Sequence, residues 1–159
     1  MQLTGQEFAY GGDLGRIHEV AVFDAEGQAR TWFNSSEPVS VRMIVEAHDH
    51  FPEPIFAMTL KNAAGVEIYG TNTLFGRQPA APLPAGMKRE VRFSFDISVV
   101  PGVYFISVGL THFVGEELVV IHRLYDVIKI EVHGLDRTFG IANLRAKITA
   151  QDVLPVSGT

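Results

Sequence analysis

Apolar residues return at every second position through most of this chain, and that period limits what it can fold into. From Val39 to Ala47, the residues Val39, Val41, Met43, Val45 and Ala47 alternate with Ser40, Arg42, Ile44 and Glu46. Successive side chains of an extended strand point to opposite faces, so one face of this segment belongs to a core. The same rhythm returns at Val91, Phe93, Phe95 and Ile97, and again at Tyr104, Ile106, Val108 and Leu110. No long stretch has the i, i+3, i+4, i+7 spacing of a surface helix. The chain is expected to be all-β.

Turn chemistry cuts the pattern into strands. Ile17 to Asp24 reads as a first strand, stopped by Asp24-Ala25-Glu26-Gly27. Ile55 to Lys61 and Val66 to Thr71 form a hairpin around Asn62-Ala63-Ala64-Gly65, and the segment Phe75 to Gly86, with Pro79, Pro82 and Pro84, reads as a loop. Pro101-Gly102 opens a late strand, and two more follow, Val119 to Tyr125 and Val127 to His133. Short strands at this spacing predict a two-sheet antiparallel sandwich, immunoglobulin-like or jelly-roll. Residues 1–12 read as an N-terminal extension, 13–134 as the sandwich and 135–159 as a terminal segment. Residues 141–150 read as a further strand or a short helical piece. An apolar end on such a tether is a candidate for exchange between two protomers.

The 159 residues carry a net charge of −5, with basic residues scattered, which leaves no footprint for nucleic acid. The absence of cysteine removes disulfides, thiolate metal sites and cysteine nucleophiles. No apolar run approaches the roughly 20 residues of a membrane span, and the N-terminal residues lack a signal-peptide pattern. A soluble, intracellular protein is expected. Asn34-Ser35-Ser36 reads as an ordinary turn rather than a glycosylation site. No phosphate-binding loop, dinucleotide fingerprint or nucleophile elbow occurs.

Two chemistries compete with plain binding. Glu46, Asp49, Glu53, Glu116 and Glu117 supply carboxylates for a glycoside hydrolase, with no spacing fixed by sequence. Glu46, His48 and His50 fall on one face if the second strand continues, which would suit a divalent metal; solvated side chains at a strand end are the simpler reading. No cofactor or metal is expected, and His112 and His122 read as ordinary strand residues.

The stretch from Pro54 to Thr73 narrows the choice. Pro54, Phe56, Lys61-Asn62, Gly65 and then Tyr69-Gly70-Thr71-Asn72-Thr73 resemble the pattern of the C-terminal carbohydrate-binding domain of Wzt, the ATPase subunit of ABC transporters that export O-antigen polysaccharide. Ser36-Glu37-Pro38-Val39, Pro101-Gly102-Val103-Tyr104, the segment Tyr125 to Val132 and Gly140 to Leu144 follow in the order the family has them. The resemblance implies a non-catalytic immunoglobulin-like sandwich that binds the non-reducing end of a polysaccharide, often chemically capped. It also implies a homodimer with exchanged terminal strands, a cytoplasmic location at the inner membrane, and contact with the transporter's membrane subunit through the parent ATPase. No nucleic acid and no direct membrane insertion are expected.

Sugar binding on a sandwich calls for aromatic faces and fixed polar groups. The outward set of the late strand, Phe105, Ser107, Gly109, Thr111 and Phe113, offers that mixture. Arg42, Glu46 and His48 of the second strand join it if the two strands share a sheet, and the Arg42 guanidinium would suit a phosphate cap. Packing of Phe105 and Phe113 under a loop or in an interface competes with this reading. Asn72 is expected to fix the turn after its strand, and Trp32 to stack a sugar or pack at an edge. A structural or assembly module meeting a protein partner is the alternative function.

Overall fold

The computed structural model describes the backbone of residues 6–9 and residues 13–135 and 137–154 in full. The described residues contain no helix and form two β-sheets. The strands are β1 (Gln6–Ala9), β2 (Gly15–Phe23), β3 (Trp32–Asn34), β4 (Pro38–Ala47), β5 (Pro54–Asn62), β6 (Glu67–Asn72), β7 (Lys88–Asp96), β8 (Gly102–Val114) and β9 (Glu117–His133). The larger sheet runs β1-β9-β8-β5-β6, with β3 pairing β9 in parallel, and the smaller runs β2-β4-β7.

Alternation places the core as expected. Val39, Val41, Met43, Val45 and Ala47 are buried on β4 and face Tyr104, Ile106, Val108 and Leu110 of β8 across the sandwich. Each large side chain removed from water there stabilises the fold by about 1.5–3 kcal/mol. Turns follow their residue chemistry. Gly65 sits at φ 82°, where only glycine is unstrained, and the Asn62 side chain accepts the Val66 N–H at 3.0 Å to close the β5–β6 hairpin. Asp24 accepts the N–H groups of Glu26 and Gln28 in the same way after β2.

Four expectations change. The strands expected at Val119 to Tyr125 and Val127 to His133 are one, β9, which passes its break as a bulge at Asp126 (φ 51°) while β8 stays paired on both sides. A bulge inserts residues without ending the ladder, so the lapse in alternation was no turn. Part of the expected extension is β1, which pairs with β9, and β3 is a short strand the pattern did not show. The late part of the terminal segment is neither strand nor helix: after a bridge from Ala142 to Val99, residues 143–154 run without regular structure. Finally, β4 and β8 lie in different sheets.

Candidate functional site

That last assignment divides the expected site. Arg42 and Glu46 project from the outer face of the smaller sheet, with His48 beside Glu46 just past the end of β4, while the outward residues of β8 belong to the opposite outer face. No single glycan surface holds both sets. Arg42 lies 3.5 Å from Glu19 and 3.7 Å from Glu90, with its guanidinium 4.9 Å from the Phe23 ring centre. Glu46 meets His18 of β2 at 2.5 Å and His48 at 3.5 Å, each imidazole on a different carboxylate oxygen. The His18 hydrogen bond, with the charges of His18, Lys88 and His48, holds the Glu46 carboxyl below its ordinary value, against the opposing effect of desolvation. The strand ends at Ala47, so His50 does not continue the face; its backbone N–H donates to Asp49. Among the described residues no group of three histidine or carboxylate side chains is arranged to hold a metal ion.

The outer face of the larger sheet carries a shallow groove of about 150 Å³. Its floor is built from small residues in register. One row runs Asn72, Ala57, Gly109, Arg123, and the next runs Gly70, Thr59, Ser107. A floor without bulky side chains leaves depth that the neighbouring residues wall in. Arg123 and Tyr125 rise on the β9 side, where the Arg123 guanidinium donates to the Tyr125 hydroxyl at 3.3 Å and lies 5.8 Å from its ring centre. Glu67 stands on the β6 side. At one end Lys61 pairs with Asp126 at 2.8 Å, and the Asp126 N–H donates to Ser107 Oγ at 2.9 Å.

These groups supply a guanidinium, a carboxylate, hydroxyls and a half-exposed phenol around a floor of small side chains. That combination suits a polyhydroxylated ligand whose ring has one C–H face and many hydrogen-bonding edges. Ser107 and Gly109 lie in the floor of this groove. Phe105 is half-buried one row beyond, paired with Lys61 and Lys129, and outside the groove lining. Thr111 is 2% exposed, which withdraws it from direct contact with any ligand. Phe113 is exposed and walls a separate recess.

Sequence reasoning missed Arg123, Tyr125, Thr59 and Glu67. The signal existed in part: Arg123 and Tyr125 alternate on one strand, and Gly109 faces Arg123 across the ladder. Arg123 and Tyr125 both fall within the expected strand Val119 to Tyr125, but the sequence pattern does not say which strand lies beside it, and that pairing is what brings Arg123 to Gly109. Asn72 accepts the Phe75 N–H at 2.8 Å and so fixes the turn after β6, as expected. Trp32 is half-exposed with Arg30 stacked at 4.7 Å from its ring centre and His133 against its edge. His122 is buried, and its Nδ1 accepts the Ile17 N–H at 2.8 Å, tying the two sheets together.

Comparison with known proteins gives the same architecture. The crystal structure of the C-terminal domain of Wzt superposes with a TM-score of 0.84 at 20% identity, covering 94% of this chain and 91% of that one. The crystal structure of a Niemann-Pick type C2 protein from Japanese carpenter ant superposes with a TM-score of 0.54 at 8% identity, covering 79% of this chain and 98% of that one. At these identities both show the fold alone. No curated protein sequence matches the chain. The sequence profile of the Wzt C-terminal domain family matches residues 6–144, nearly the whole described length, and the chain belongs to that family.

Proposed function

We propose that this protein is a non-catalytic carbohydrate-binding domain that holds the non-reducing end of an O-antigen polysaccharide in the groove over β5, β8 and β9, for export by an ABC transporter. The observation that carries the reading is the floor of Ala57, Gly109 and Ser107 beneath Arg123 and Tyr125. Family membership supports the carbohydrate and the transporter. The groove's small volume supports recognition of an end group, since it has room for about one ring, and the Lys61–Asp126 ion pair bounds it on one side. The parent ATPase would place the domain on the cytoplasmic side of the membrane, beside the transporter's membrane subunit.

The working form is a homodimer with exchanged termini. Leu144, Ala146, Ile148 and Ala150 alternate with Arg145, Lys147, Thr149 and Gln151, the pattern of a half-buried strand, yet Leu144 is 85% and Ile148 92% exposed within one copy. Among the described residues β7 pairs only with β4, and its inward Val91, Phe93 and Phe95 are half-covered. A strand from a second copy laid on that edge would satisfy both.

Calorimetric titration with fragments cut from the non-reducing end of the source organism's polysaccharide tests the site. Arg123→Ala should weaken binding by about tenfold or more, the loss of a charge-assisted hydrogen bond, while Arg42→Ala on the other sheet leaves it unchanged. Equal affinity of the Arg123 variant would remove the groove from the account. Sugar release above a protein-free blank would contradict the non-catalytic reading.

A further inference from the structure

The face that carries the groove holds a second recess, of about 240 Å³, one step farther along the same strands. It forms where the loop of residues 73–87 folds back over the sheet and is fixed there. Thr73 Oγ1 accepts the Phe56 N–H at 3.2 Å, the Gln78 N–H donates to the Thr73 carbonyl at 3.0 Å, and Phe51 and Leu83 exchange both backbone hydrogen bonds at 2.9 and 2.8 Å. Its walls are the Phe113 ring, Pro54, Pro79 and Leu74, and Glu53 contributes a carboxylate. Rigid rings and one acceptor make a site for an apolar face with a hydroxyl at its edge, because the ordering cost of such walls is already met in the free protein.

Strand register joins the two hollows. On β5, Ala57 lines the groove and Ile55, two residues away on the same face, lines the recess. On β8, Gly109 lines the groove and Phe113 the recess, four residues and so roughly 13 Å apart at the rise of an extended strand. Ile55 pairs with Thr111 in the row next to Ala57 and Gly109, so the recess begins one row beyond the groove floor. One sugar ring cannot cover this span, whereas a short oligosaccharide can.

We propose that the Phe113 recess is a second subsite of the same polysaccharide, taking an internal sugar residue a few units from the end held in the groove. The protein then recognises an oligosaccharide with a defined end, and the Phe113 ring sets which internal ring is accepted. This inference rests on the groove being the glycan site.

The test is calorimetry with a mono- to pentasaccharide ladder prepared from the non-reducing end of the source organism's polysaccharide. Affinity should rise once, by about tenfold, at the fragment long enough to reach Phe113, the gain expected of a ring stacked on an aromatic face. Phe113→Ala should abolish that rise and leave the shortest binding fragment unaffected, and Phe113→Tyr should keep it. Affinity independent of length, or equal losses for short and long fragments in Phe113→Ala, would overturn the subsite while leaving the groove in place. Failure of every fragment to bind would remove the groove reading and the subsite with it.

Discussion

The backbone N–H of Asp126 donates to Ser107 Oγ at 2.9 Å, so the bulge that interrupts β9 is tied to the floor of the groove. Asp126 holds a left-handed φ of 51°, uncommon for a residue with a side chain, and its carboxylate pairs with Lys61 at 2.8 Å. Strain of this kind persists where surrounding bonds fix it, and here they fix one end of the site.

Ser107→Ala leaves that N–H without its acceptor in a position where Ser107 itself is only 8% exposed. Stability in urea unfolding should fall by about 1–3 kcal/mol, the cost of a buried donor left unpaired. Glycan affinity should fall with it, because Lys61 and Asp126 lose their fixed place.

Gly109→Ala separates folding from binding. A methyl group there would stand 3.5 Å from Arg123 Nε and 4.0 Å from Ala57 Cβ, ordinary contacts that require no backbone shift. The melting temperature should stay level or rise slightly, since glycine in a strand loses more chain entropy than alanine by roughly 0.5–1 kcal/mol. The groove floor is filled, however, and calorimetry should show clearly weaker binding of the same fragment.

The terminal segment predicts the assembly. Leu144→Asp with Ile148→Asp places charges where the exchanged strand needs apolar side chains, and leaves the buried Asn143 anchor, with its hydrogen bond to Ser35 at 2.8 Å, intact. Light scattering should show a dimer for the unaltered protein and a monomer for this variant, with the sandwich still folded by circular dichroism.

Acid should weaken the fold through His112. Burial pushes its imidazole below the ordinary 6.5, opposed by the nearby Asp49, and its ring packs edge-on against Phe51 at 4.9 Å between centres. The unfolded chain therefore binds the proton more readily, so this contribution is present above pH 6.5 and is lost as pH falls through the lowered folded value. His112→Phe should flatten the decline in melting temperature over that interval, and an unchanged slope would assign it elsewhere.

The sequence made the sandwich legible because alternation is local: Val39 to Ala47 declares its buried face without reference to any partner. Which strands share a sheet is a long-range matter that alternation does not encode. Arg42 and Phe113 both read correctly as outward, yet they point away from opposite sheets. Asp126 misled in another way, since a bulge and a turn both break the period, and only the continuous pairing of β8 tells them apart. Arg123 and Tyr125 lay within an expected strand, and what the pattern left out was its pairing with β8. The tail's alternation from Leu144 to Ala150 shows the reverse case, a strand pattern with no strand partner among the described residues of one copy.

Amide chemical-shift mapping with a polysaccharide fragment tests the central claim most directly. Shifts should concentrate at Thr59, Ser107, Gly109, Arg123 and Tyr125, on one outer face. Shifts confined to Arg42, Glu46 and His48, or none at saturating fragment, would contradict it.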